Sequence, residues 1–553
     1  MTPELVIRGG TVVDGTGGPP FDADVAIAGG RIVEIGRDLS GERELDGRGC
    51  VVAPGFVDVH THYDPQVTWD PWVTPSSRLG VTSVVAGNCG FSVAPCRPEL
   101  RPLMMRTLEA VEDMSFDAMS EAIPWSFETY PEYLRALATR GLGLNFGGYV
   151  GHTAVRLWAM GEDAYEREAT ADEVARMRSV VADAITGGAL GFSTDRAGFL
   201  QGDSGRPVPS VVASAAETEA LMMTVADVGR GIAHVAPGDT FEWVYDFAAR
   251  FGHTLTWSAI LAYPDAPSRA VTWRDKLARQ SEAIAGGLDV HPQVTSRVLT
   301  FQFTLENPLV LYGYAAFATL DPNDVEKRKA AFRDPGWRRR AAEEISARGP
   351  GPWTTMIVGE TEQPGLQGRT IADIAAERQS EPIDALVDVA LAEGLGTRFS
   401  VAAANQDPAS VASLLTGPGC VLGLSDAGAH IGQLCDAVMP LHFLSEWVRD
   451  RGLMPLEAGI RKTSGELADV VGLRDRGYVR TGAHADVVVL EWDNVAPGPI
   501  RRVRDLPGGG ERLVAHEPEG LRHVLVNGTP IRVDHEMQRP ERLPGMLLEP
   551  KTY

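Results

Sequence analysis

The chain has 553 residues, with 51 Lys and Arg against 74 Asp and Glu, a formal net charge of −23. That balance repels phosphate backbones and anionic lipid surfaces, which excludes nucleic acid and membrane as partners. No apolar run reaches the ~18 residues of a membrane span, and the first ten residues lack the charged and apolar regions of a signal peptide. Five scattered cysteines without zinc-knuckle spacing argue against a disulfide framework and for a reducing, cytoplasmic setting.

From Leu5 to Ile35, short alternating runs separated by Gly9-Gly10, Asp14-Gly15 and Gly29-Gly30 predict a small antiparallel β-sheet. The same texture returns at Asp486–Leu490 and at Val524–Val526 before Asn527-Gly528. Residues 1–53 and 478–535 are therefore expected to form one composite β-domain, a small β-sandwich built from both chain ends. Between them apolar strands such as Thr82–Ala86, Gly187–Ser193 and Cys420–Leu424 alternate with amphipathic helices at Ala171–Thr186, Ile371–Glu377 and Pro382–Glu393. Sustained alternation predicts an α/β fold, a (β/α)8 TIM-like barrel over 54–477. A doubly wound sheet is the runner-up, without a G-x-G-x-x-G in the right context. Residues near 290–355 break the rhythm with Pro292, Pro308, Pro322, Pro335 and Pro350. They read as an insertion, either a lid over the barrel mouth or a contact between copies in a homo-oligomer. Residues 536–553, with three X-Pro steps, read as an extended arm.

The most informative stretch is Pro54–His62 (PGFVDVHTH). An i, i+2 spacing on a strand puts His60 and His62 on one face, with Asp58 beside them. Two imidazoles on a buried strand end form half of a metal site, and buried histidines need partners. Further polar groups end other apolar strands: Cys89 after Val84–Ala86, His234 after Gly231–Ala233, and Asp426 after Leu424-Ser425, followed by His430. Each has a plainer reading, since free cysteines mostly pack as small hydrophobes. Asp426 is the hardest to explain structurally, as carboxylates are seldom buried unpaired. His152, His253 and His291 read as structural. In a barrel the others open onto one face, and together they describe a site.

The order of β-segment, H-x-H, later histidine, late Ser-Asp and returning β-segment resembles the amidohydrolase superfamily. Gly80–Gly90 (GVTSVVAGNCG), Gly188–Thr194 (GALGFST) and Leu424–His430 (LSDAGAH) are similar to the N-acyl-D-amino-acid deacylase (D-aminoacylase) group, and the likeness spans nearly the whole chain. The resemblance implies a zinc-dependent amide hydrolase acting on a small-molecule amide, with one or two Zn2+ ions. His60, His62, Cys89, His234 and Asp426 match its metal ligands, and Asp426 its general base. Where the family has a second later histidine, this chain reads Leu255-Thr256-Trp257-Ser258. Ser193-Thr194-Asp195-Arg196 offers no lysine for carboxylation. Arg196 is the candidate to hold a substrate carboxylate, against a plain surface arginine, and His430 is counted with it as substrate-binding. A cyclic-amide hydrolase of dihydropyrimidinase or hydantoinase type and a degenerate, non-catalytic barrel are the alternatives.

Overall fold

The computed structural model describes residues 2–198, 200–238, 240–264, 271–321, 324–349 and 351–553; Pro322 and Pro350 lie outside them. The N-terminal alternation forms β1 (Leu5–Val12), β2 (Phe21–Ala28), β3 (Arg31–Gly36), β4 (Arg43–Asp46) and β5 (Val51–Pro54). β1 pairs antiparallel with β2 and parallel with both β4 and β5. Leu5, Ile7, Val25, Ile32 and Val52 project from these strands into one buried cluster.

The chain then enters a parallel sheet: β6 (Phe56–Asp58), β7 (Val81–Ala86), β8 (Asn145–Gly151), β9 (Gly191–Asp195), β10 (Ile232–Ala236), β11 (Leu255–Ser258) and β12 (Val290–Val294). They lie side by side in chain order. The helix Ala171–Thr186 between β8 and β9 begins with a capping box, in which Thr170 and Glu173 satisfy each other's backbone N–H groups.

The break in rhythm is longer than 290–355. Val290–Val294 is an integral strand of the parallel sheet, and the chain leaves it only afterwards. The excursion contains β13 (Leu299–Thr304), β14 (Met356–Glu360) and β15 (Arg398–Ala404) in a separate antiparallel sheet. It has its own core of Phe303, Phe317, Trp337, Leu386 and Phe399. The helices Ile371–Arg378 and Pro382–Ala392, which the sequence alternation assigns to the main sheet, pack here, because their apolar faces match this second core. β16 (Val421–Leu422) then returns to pair parallel with β12. A bridge between Thr61 and Ala427 links the segments following the two edge strands, so the eight-stranded sheet curls towards itself.

The last strands are β17 (Val487–Leu490), β18 (Arg501–Val503), β19 (Arg512–Val514), β20 (Leu521–Val526), β21 (Thr529–Val533) and β22 (Glu536–Met537). β17 pairs antiparallel with both β5 and β20, which merges the two chain ends into one nine-stranded sheet. After Met537 the chain runs without helix along the N-terminal ends of the parallel strands. Gly545 N donates to Leu142 O (2.7 Å), Leu548 N to Phe146 O (2.8 Å), and Gly231 N to Lys551 O (2.7 Å). Leu548 is buried with Val57, Val85, Tyr149, Leu190, Ile232 and Val421.

Candidate metal centre

β6 ends at Asp58, so His60 and His62 stand just beyond the strand, and alternation alone does not aim them. Backbone bonds to both sides do: Thr61 N donates to Val85 O (3.1 Å) and His62 N to Ala427 O (2.8 Å). The Asp58 carboxylate accepts from Ser425 Oγ at 2.7 Å and from His60 N at 3.3 Å. Burial raises the Asp58 carboxyl to about 6.

Cys89 sits on a tight turn after β7. Gly87 has φ +76°, and a Cβ there would lie 2.2 Å from Tyr149 O, so only glycine fits. Cys89 itself has φ +52°, a sparsely populated region for a side-chain-bearing residue. The turn brings its Sγ to 3.5 Å from His60 Nε2 and 3.7 Å from Ser258 Oγ, and Ser258 Oγ lies 3.4 Å from His234 Nε2. On the other side of His60 Nε2 lie Asp426 Oδ1 at 3.0 Å and His62 Nε2 at 3.3 Å, and Asp426 Oδ1 is 3.5 Å from His62 Nε2.

The opposite edge of each ring is engaged. His60 Nδ1 is 2.5 Å from Gln293 Oε1, His62 Nδ1 is 3.2 Å from Glu112 Oε1, and His234 Nδ1 is 2.9 Å from Thr256 Oγ1. The amide oxygen only accepts, so the His60 proton belongs on Nδ1. Its Nε2 lone pair then faces Asp426 Oδ1, itself an acceptor. Burial lowers the His62 pKa to about 4 against the pull of Asp426. Burial, with His60 and His62 nearby, also holds His234 well below its usual value. Imidazole nitrogens and a carboxylate oxygen converging on one point suit a cation between them, and this donor set fits a borderline-soft divalent ion. Cys89 is raised well above its usual value by burial and by the Asp195, Asp426 and Glu112 carboxylates.

The donors form two overlapping groups, His60 with Cys89 and His234, and His60 with His62 and Asp426. The Amidohydrolase family model matches residues 43–532.

The chain belongs to the amidohydrolase family.

It is 30% identical to an N-acyl-D-glutamate deacylase of Alcaligenes xylosoxydans xylosoxydans over 99% of this chain and 96% of that one. Among solved structures it is similar to N-acyl-D-glutamate deacylase from Bordetella bronchiseptica, complexed with zinc and a phosphonate mimic of the tetrahedral intermediate. The TM-score is 0.69, with 26% identity and coverage of 99% and 100% of the two chains. A D-aminoacylase structure concerned with a binuclear metal center, one-metal activation and second-metal attenuation gives a TM-score of 0.68 at 25% identity, with the same coverage.

The structure thus brings together the five expected metal-site residues of this amidohydrolase. It does not bring Arg196 to them: its guanidinium donates to Thr218 Oγ1 (2.9 Å) and Ala213 O (3.4 Å), behind β9, because Arg196 follows the strand on the helix-facing side. His430 lies at the rim, its Nε2 4.0 Å from Glu112 Oε2 and its ring edge-on to Phe301. His152 is bound to Thr194 and Glu217, His253 packs tilted against Tyr553, and His291 bonds Asp289. Sequence reasoning missed Glu112 and Gln293. Glu112 ends the helix Arg101–Glu112, and burial with neighbouring carboxylates raises its carboxyl well above the usual value. Only its position inside a Met- and Leu-rich helix hinted that Glu112 is buried. Gln293, on β12, carried no signal beyond an amide among strand apolars.

Proposed function

We propose that the chain hydrolyses N-acyl amino acids, of the D-amino-acid type, to a carboxylate and a free amine, with zinc held by His60, His62, Cys89, His234 and Asp426. What carries this reading is the convergence of imidazole nitrogens and a carboxylate oxygen on one point, with a thiol beside them. When bound, the ion supplies positive charge for the scissile carbonyl and brings the pKa of water down towards ~7. His60 has one lone pair at Nε2 and spends Nδ1 on Gln293, so it serves one ion, and the two overlapping donor groups suit one or two zinc ions.

Asp426 is the base that takes the proton of the attacking water and returns it to the departing nitrogen. Its place between the imidazoles and the open side of the site supports both transfers, since about a quarter of its side chain is exposed. Glu112 orients His62, and Gln293 orients His60. His430 at the rim meets the substrate. The absence of a carboxylatable lysine at the end of β9, and Cys89 in its Gly-Asn-Cys-Gly turn, favour a linear over a cyclic amide.

In architecture we read the curled sheet as a (β/α)8 barrel, supported by the Thr61–Ala427 bridge. The terminal sheet, folded around its own cluster as a sandwich, makes a second domain of 1–53 with 478–535, followed by the arm. The excursion after β12 stands as the insertion, a lid or a contact between copies. Five unpaired cysteines fit a reducing cytoplasm.

Zinc-reconstituted protein and a panel of N-acetyl-D- and L-amino acids, peptides and hydantoins test the reading. Asp426→Asn is expected to lower kcat by about 10²–10⁴-fold with the fold intact. Turnover within tenfold of wild type would remove Asp426 as the base.

A further inference from the structure

We propose that the seam between the parallel sheet and the excursion holds a second ligand site, separate from the metal centre, which binds a free amino acid by its ammonium and carboxylate together. The choice of ligand rests on the deacylase reading above, which makes a free amino acid the product. A cavity of about 240 Å³ opens in this seam. Segments distant in sequence wall it: Glu109 and Asp113 at the end of the helix Arg101–Glu112, Gln433 in the loop beyond Asp426 and His430, and Gln302, Arg398 and Arg502 on β13, β15 and β18. Hydrogen bonds fix these walls to one another. Gln302 N donates to Gln433 O at 2.8 Å and Gly432 N to Asp113 Oδ2 at 3.2 Å. Arg502 Nη2 donates to Gln302 Oε1 at 2.8 Å and to Gly432 O at 3.1 Å. None of the lining residues is one of the five metal-site donors.

Two polar groups on these walls are unmatched. Gln433 is only 6% exposed, and its amide nitrogen faces the Asp113 carboxyl. Among the described residues its Oε1 has no hydrogen-bond partner, which is rare for a buried amide oxygen. Arg502 Nη1 is likewise buried without a hydrogen-bond partner, with Glu511 Oε1 3.6 Å away. The rest of that guanidinium is oriented by Glu360, Gln302 and Gly432, and Arg398 beside it by Glu360 and Glu511. The cavity thus offers an acceptor set, Gln433 Oε1 with the Glu109 and Asp113 carboxyls, and a fixed guanidinium donor. An anion alone would leave the amide oxygen unpaired and meet three carboxyl groups. A cation alone would leave Arg502 Nη1 unpaired. A molecule carrying both an ammonium and a carboxylate satisfies both groups. The volume is below the about 300–1,000 Å³ of cavities for drug-sized ligands and suits a molecule of amino-acid size.

D-Alanine is the probe, with propionate and ethylammonium as its two halves, and calorimetric titration of the zinc-loaded protein reads the affinity. D-Alanine is expected to bind at least about tenfold more tightly than either half. Gln433→Leu removes the free acceptor, and Glu109→Gln removes a carboxylate while keeping an acceptor for Phe116 N. Each should weaken binding of one equivalent of D-alanine by about tenfold or more. Over the same variants kcat and KM for N-acetyl-D-alanine should stay within about twofold of wild type, which separates this site from product held at the metal centre. Absence of D-alanine binding at about 10 mM, equal affinity for one of its halves, or variants that bind as wild type does would overturn the proposal. So would a parallel rise in KM, which would make the cavity part of the substrate site. All four outcomes leave the deacylase reading standing. Wild-type protein that binds D-alanine but hydrolyses no N-acyl amino acid overturns that reading and keeps the site, with zinc content then the control on the variants. Should Gln433→Leu fail to fold, Glu109→Gln and the comparison with the two halves decide.

Discussion

Replacing Gln293 by leucine isolates a contact that the site depends on without touching a metal ligand. In the native site Gln293 Oε1 receives the Nδ1 proton of His60 at 2.5 Å, and both side chains are buried. Without zinc the leucine variant has an escape: the imidazole moves its proton to Nε2 and donates to Asp426 Oδ1, 3.0 Å away. Zinc binding closes that escape, because Nε2 must present its lone pair and Nδ1–H is left facing a methyl group. An unsatisfied buried donor costs about 1–3 kcal/mol, which at ~1.4 kcal/mol per decade is about 5–150-fold in Kd. The range overlaps the ~10–100-fold typical of losing a group that orients a ligating histidine. Competition against a chromophoric chelator reads the zinc Kd directly. Gln293→Glu, which keeps an acceptor, should bind zinc at least as tightly as wild type. A leucine variant whose Kd stays within about twofold of wild type would mean that Gln293 does not set the His60 tautomer.

Other consequences are equally accessible. Cys89→Ser should lose more zinc affinity than the ~10–100-fold of an orienting group, since it removes a ligand; unchanged zinc content by elemental analysis would return Cys89 to packing. Leu548→Ala removes a buried side chain from the cluster with Ile232 and Val421 and should cost about 2–5 kcal/mol in urea unfolding. A cost below ~1 kcal/mol would show that the arm does not dock in solution. Burial pushes Asp289 up, but His291, Thr254 and Lys551 prevail and hold it at about 2 against the ordinary 3.8. The folded pKa is the lower one, so its stabilising contribution is complete above ~4 and is lost as pH falls from there through 2. Asp289→Asn should therefore flatten the pH dependence of hydrogen exchange around Thr254 and Tyr553 in that window. Parallel profiles for the two proteins would refute it.

Much of the arrangement was legible because local chemistry announces it. The helix Ala171–Thr186 carries its own cap in Thr170 and Glu173, and the turn after β7 needs the glycine that precedes Asn88-Cys89. The H-x-H was read as a strand pair; its convergence instead comes from bonds to Val85 and Ala427, the second of them more than 360 positions away. Glu112 and Gln293 act through contacts with His62 and His60 from distant elements, and no periodicity marks them. Arg196 looked available beside the strand end, but whether a guanidinium turns inward or outward depends on which hydroxyl waits for it, here Thr218. The helices at 371–378 and 382–392 have a real amphipathic pattern, and a pattern states that a face is covered without stating by which core.

The pairing of β5 with β17 has a consequence for how the protein is made. β5 passes through Gly55, whose N–H is bound by Asp486 O at 2.9 Å, directly into the segment bearing His60 and His62. During translation the strand feeding the first two ligands has one bare edge until Val487–Leu490 emerges from the ribosome, hundreds of codons later. Such an edge invites wrong partners while it waits. Assembly of the centre is thus a late, whole-chain event, and a message cut short before β17 yields a product with every expected ligand but no completed shelf to hold the first two.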